Sequence, residues 1–181
     1  MTTARSGVFS VATTMIVMVA ALALCGTMGA QDGHQNAKTP SQAILANWND
    51  IGNRIIAMAQ DWPEDKYTYR PNAQVRTFQQ VLLHVAGSNY DLVNHVSGTK
   101  MGDGRNDPAV ADYKTKEQTV AFLKKSVADG AAEIQKEGDS GVLAHLDYWT
   151  GYTEHMGEHY GQLVVYYRNN GVVPPESRPK K

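Results

Sequence analysis

Cysteine is almost absent from this chain. Cys25 is the only one in 181 residues, and it lies in an apolar N-terminal run. A domain built from the remainder has no disulfide framework, no thiolate nucleophile and no cysteine metal site. A dominant charge is also lacking, since 17 Lys and Arg face 18 Asp and Glu. The one basic run is the closing RPKK, so nucleic-acid binding has no electrostatic support. No segment sustains apolar–polar alternation with β-branched residues, which argues against a sheet. The Gly- and Asp-rich stretch 98–108, GTKMGDGRNDP, lacks the acidic spacing and the bidentate Glu of a calcium loop. Asp103 and Asp107 are therefore expected in a solvated loop.

What the N-terminus does have is an apolar run, VFSVATTMIVMVAALAL, over residues 8–24. Arg5 precedes it and the small residues CGTMGA follow, the pattern of a secretory signal peptide cut near Ala30. The run is near the lower limit for a membrane span, so an uncleaved anchor is the alternative. Leu24 before Cys25 fits lipoprotein processing poorly. Cleavage leaves a flexible leader over 31–38 and roughly 150 residues in all, enough for one domain with a real core. With Arg5 removed, 16 basic residues face 18 acidic ones, a formal charge of −2.

Three segments open alike. Thr39 precedes Gln42, Thr77 precedes Gln80, and Thr115 precedes Gln118, each pair three apart. This is the capping box, in which each side chain satisfies an orphan backbone donor at a helix start. Pro40 falls at a first helical position, where its missing N–H costs nothing. The pattern predicts helices at about 40–60, 77–97, 115–137 and 147–170. Asn169-Asn170-Gly171 and then Pro174-Pro175 stop the last. The expected fold is all-α, a four-helix bundle over 39–175 with a tail at 176–181.

The chemistry-bearing residues are histidines. His155 and His159 lie four apart, so both imidazoles face one side of a helix and can reach one ion. Tyr148, Tyr152, Gln162 and Tyr166 share that face, within about 80° at 100° per residue. Trp149, Met156, Leu163 and Tyr167 flank it with core-forming surface. A third imidazole from a facing helix completes a three-histidine set with an open position. His84, His95 and His145 compete for that place by spacing; His34 sits in the polar leader. His84 and His95 are three turns apart, roughly 16 Å, and cannot share one ion on a straight helix. HMGEH also matches H-x-x-E-H of inverted zinc proteases, with Glu158 as base. Those need a further Glu ligand well downstream, and only 22 residues follow His159.

From Trp48 to Arg178 the chain resembles the DinB/YfiT-like superfamily of small metal-binding four-helix bundles. The carrying features are the Trp-bearing first helix, YTYRPNAQVRTFQQVLLHVA, and the closing HMGEHYGQLVVYYRNNGVVPPESR. The resemblance implies one ligand in the second helix and an H-x3-H pair in the last, which fall on His84, His155 and His159. It implies zinc or nickel as the metal and often a homodimer. It also implies, for some members, thiol S-transfer with cytoplasmic thiols, which sits badly with an export signal.

The expected function is an exported metal-dependent hydrolase or transferase, periplasmic or secreted, acting on a small molecule. Glu158, Tyr152 and Gln162 are the weak catalytic candidates, with Tyr152 and Gln162 on the ligand face and Glu158 about 60° from His155. The alternative is a non-catalytic metal- or ligand-binding module of the cell envelope.

Overall fold

The computed structural model describes residues 38–99 and 107–179. The expected signal peptide, most of the leader, His34 and Asp103 lie outside these residues. Four helices account for the fold: α1 (Pro40–Asp61), α2 (Phe78–Val96), α3 (Lys116–Ala144) and α4 (Leu146–Asn169). Among the described residues there is no strand. No helix of these residues is long and apolar enough to cross a membrane.

Each of the three capping boxes forms. The hydroxyl oxygens of Thr39, Thr77 and Thr115 accept from the backbone N–H three residues on, and the Gln side chains there accept from the Thr N–H groups. Helix starts are set by bonds spanning three residues, which is why they were readable in advance.

α3 runs past its expected end at 137 because the chain kinks there and resumes as helix. Gly138 has φ 62° and ψ −167°, a backbone region that suits glycine. Side chains on either side of the kink hold it. Asp139 accepts from both the N–H and the hydroxyl of Ser41, at 3.0 and 2.6 Å, tying the kink to the start of α1. The buried Glu137 carboxylate accepts from His145 Nδ1 at 2.6 Å and from Trp149 Nε1 at 2.7 Å. Glu137 thereby fixes the direction in which α4 leaves the turn, and α4 carries two of the three histidines.

The apolar stripes meet as periodicity requires. α3 and α4 each pack against both α1 and α2. Phe78, Val81, Val85 and Leu92 of α2 are buried, as are Trp149, Met156, Leu163 and Tyr167 of α4. Trp48 stands edge-on to Trp149 at 5.6 Å and donates its indole N–H to Val127 O at 2.9 Å. Truncating such a side chain costs about 3–5 kcal/mol. At the other end Trp62 stacks on Phe78 at 4.8 Å and packs on Tyr167 at 4.6 Å. Arg178, in the expected tail, makes a two-pronged pair with Asp61 at 2.8 and 2.6 Å. That pair holds the Asp61 carboxyl below the usual range, against burial, with Tyr167 assisting.

Candidate metal centre

α2 and α4 are neighbours, and their facing sides bring His84, His155 and His159 together. His84 Nε2 lies 3.0 Å from His155 Nε2, and His159 Nε2 lies 3.1 Å from the same atom. One ring nitrogen from each of the three falls within 4.8 Å of the others. Two bonds of ~2.05 Å at a tetrahedral angle separate their nitrogens by about 3.3 Å, so this spacing matches a shared ion. Among the described residues no fourth His, Cys, Asp or Glu joins the group.

The outer nitrogens decide which way the lone pairs point. His84 Nδ1 lies 2.6 Å from Asp107 Oδ1. Burial alone raises the Asp107 pKa, but hydrogen bonds from His84 and Arg76, and their charges, outweigh it and lower the net value. An ionised carboxylate only accepts, so His84 carries its proton on Nδ1 and leaves Nε2 free to donate electrons. His159 reaches the same state by a different route. Gln162 donates its amide N–H to Tyr166 Oη at 3.0 Å, and Tyr166 donates to Arg76 O at 2.7 Å. That orientation aims Gln162 Oε1 at His159 Nδ1, 2.8 Å away, which must then be the protonated nitrogen.

Two lone pairs therefore converge on His155 Nε2. Between neutral rings at most one proton can relieve that juxtaposition, whereas a cation satisfies all three nitrogens. Among the described residues the buried His155 Nδ1 has no hydrogen-bond partner, so the outer nitrogen of this ring, unlike those of the other two, is fixed by packing. Burial pushes His155 down to about 4, with His159 and His84 adding to it. Burial also lowers His159, opposed by Gln162 and reinforced by His84 and Arg76. Rings kept neutral are rings ready to coordinate. Three imidazoles suit a borderline divalent transition-metal ion.

A cavity of about 470 Å³ opens on the cluster. His84 and Ser88 line it from α2, and Tyr148, Gly151, Tyr152 and His155 from α4, with Asp147 at its far end. His159 is not on its wall.

The remaining expected site residues separate. Tyr152 lines the cavity, and burial, with Asp91 and Tyr148, raises its phenol pKa. Gln162 is not among the residues that line the cavity; both ends of its amide are engaged, with His159 Nδ1 and with Tyr166 Oη. Glu158 is exposed and is not among the residues that line the cavity. His95 packs on Tyr148 at 4.1 Å and His145 pairs with Glu137, so neither joins the cluster.

Asp107 lies in an exposed loop, as expected, but its carboxylate is engaged there: it bridges His84 and Arg76, whose Nε donates to Oδ2 at 2.9 Å. The cause is steric. Gly87, one turn beyond His84, leaves room for the Pro108 ring; a Cβ there would sit 2.9 Å from Pro108 Cδ. Proline seated against the glycine delivers the preceding aspartate to the histidine. The Asp-Pro pair was the available signal, and loop composition masked it.

A family model matches residues 48–166, which span both helices of the cluster; it describes the DinB superfamily. The chain belongs to the DinB superfamily. No curated protein matches it. Within the DinB match lie all three histidines together with Asp107 and Gln162, the two side chains that orient them.

Proposed function

We propose that this DinB protein is an exported metal-dependent enzyme, a hydrolase or transferase, using His84, His155 and His159 to hold zinc or nickel. The observation that carries the reading is the cavity on the cluster. Two of the three imidazoles lie on its wall, so an ion held by the cluster would border a space large enough for a small molecule. A closed structural site has no such space.

Such an ion would supply Lewis acidity, which would lower the pKa of a water or thiol toward neutrality. The protein's own residues do the rest. Asp107 and Gln162 hold two rings in the coordinating tautomer before any ligand arrives, which removes reorganisation from the reaction. Tyr152 keeps its proton at neutral pH and stands on the cavity wall, where it lines the space a substrate would enter. Ser88 offers a second hydroxyl from the opposite helix.

The test is calorimetric. Chelated protein titrated with zinc and with nickel should take up one ion per chain. His155→Ala and His159→Ala should each abolish that stoichiometric binding, because two protein ligands are too few. Wild-type affinity in both variants would remove the basis for the reading. Loaded protein is then assayed on ester, amide and thiol substrates. A large metal-dependent gain in melting temperature with no turnover on any of them favours a non-catalytic binding module instead.

Export rests on the apolar run at 8–24 and the small residues after it. N-terminal sequencing from the producing cell should find a start near Gln31. An intact Met1 on cytoplasmic protein would overturn export and bring thiol transfer with cytoplasmic thiols to the front.

A further inference from the structure

The cavity has a direction. Its α4 wall runs from His155 back through Tyr152, Gly151 and Tyr148 to Asp147, eight residues and roughly 12 Å along the helix. The metal cluster closes one end and a carboxylate stands at the other. Asp91 of α2 adds a second carboxylate, close enough to Tyr152 for its charge to act on the phenol. Among the described residues no Lys or Arg lines the cavity. Arg76, whose charge acts on His155 and His159, is on the cluster side, tied to Asp107. The field along the groove therefore goes from positive at the histidines, once an ion is bound, to negative at Asp147.

Between these ends the walls are aromatic and the floor is bare. Tyr148 and Tyr152 offer ring faces, which attract cations as well as apolar chains. A Cβ built on Gly151 would meet nothing within 4 Å, so this residue leaves the groove open along its length. A glycine inside a helix is less favourable than alanine by about 1 kcal/mol. Among the described residues nothing packs against Gly151 to require its smallness, and Gly151, unlike Gly157 and Gly161 of the same helix, lies on the cavity wall.

We infer that the groove selects an elongated small molecule with an electron-rich donor at the histidine cluster and a cationic group, such as a primary amine, at Asp147. Asp147 supplies the charge that recognises the amine, and Gly151 sets the depth available to the chain between the two groups. The inference rests on the metal-centre reading above and goes beyond it in naming the substrate class. Asp147 also lies in the first turn of α4, where a carboxylate suits the helix dipole. That structural role gives no preference among ligands, so ligand preference is what separates the two.

The experiment uses cobalt(II)-loaded full-length domain and three matched probes: ω-aminohexanethiol, hexanethiol and ω-mercaptohexanoate. Each binds through its thiolate, its proton passing to the buffer, and the thiolate-to-cobalt absorption band reports occupancy. At low salt the amine should bind at least about tenfold tighter than the carboxylate, with hexanethiol between, and added salt should narrow the gap. Asp147→Asn should keep its metal and its fold while the amine-to-carboxylate ratio falls below about threefold. Gly151→Leu should keep metal and melting temperature but weaken all three probes at least about tenfold. Equal binding of the three probes, or an Asp147→Asn ratio equal to wild type, would overturn the cation preference alone. Wild-type affinity in Gly151→Leu would overturn the path along α4. Absence of the cobalt band with every probe would overturn the open metal centre itself, and the inference with it.

Discussion

Replacing Asp107 with Asn is the sharpest perturbation of this centre, because it changes one charge and almost no volume. The carboxylate now accepts twice, from His84 Nδ1 at 2.6 Å and from Arg76 Nε at 2.9 Å. An amide has one acceptor and one donor to offer these two donors. If its oxygen turns to His84, its NH₂ meets the Arg76 N–H and that pairing is lost. If its oxygen turns to Arg76, the NH₂ faces His84, which must then accept at Nδ1 and carry its proton on Nε2. That tautomer cannot coordinate. Either the ligand loses a charged partner or it spends part of its time in the wrong form. Loss of such an outer partner weakens metal binding 10–100-fold, about 1.4–2.7 kcal/mol. Competition titration of zinc against a chromophoric chelator, at fixed pH and salt, measures this directly. Circular dichroism of the chelated protein should be unchanged, since the pair sits in a loop rather than in the core. A zinc affinity within about threefold of wild type would refute the argument that Asp107 sets the His84 tautomer.

Two further outcomes follow from the same geometry. Gly87→Ala places a Cβ 2.9 Å from Pro108 and must push the Asp107 segment away from His84, so zinc affinity should drop in the same direction as in Asp107→Asn. Its melting temperature should change little, because the helix gains what alanine gives over glycine; wild-type zinc affinity would show that Pro108 does not deliver Asp107. Acidification should destabilise the metal-free protein between about pH 6.5 and pH 4, for His155 titrates near 4 when folded and at its ordinary value when unfolded. The unfolded chain then binds the extra proton, so stability falls as pH falls, by up to about 1.4 kcal/mol per pH unit for one proton, with His159 adding in the same direction. A melting temperature of chelated protein that holds steady or rises from pH 6.5 to pH 4.5 contradicts the assigned burial of these rings.

How much of this was legible in the sequence follows the range of the interactions involved. Thr–Gln capping boxes close over three residues, so the starts of α1, α2 and α3 could be placed almost to the residue. The convergence of His155 and His159 is likewise helix geometry, four residues apart on one face. The stop of α3 at 137 was also local, and the structure answers with a kink at Gly138 rather than an end. What a periodic reading cannot contain is the continuation of helix beyond that kink, because it depends on Glu137 reaching His145 and Trp149 and on Asp139 reaching Ser41.

His84 shows where local reasoning stops and why. It sits 71 residues from His155. On α2 it lies at the edge of the apolar stripe beside Ser88, Asp91 and His95, any of which faces the same neighbour. Only the packing of α2 on α4 brings His84, rather than His95, level with the pair. Asp107 is one step further removed, since no helix carries it. Composition favours a solvated loop for GTKMGDGRNDP, and composition averages over residues that end in different places. The placement of Asp107 turns on one proline seating against one glycine of α2. In this bundle the three histidines are placed by periodic elements, while the tautomer of His84 is set by a loop carboxylate, a feature that periodicity does not encode.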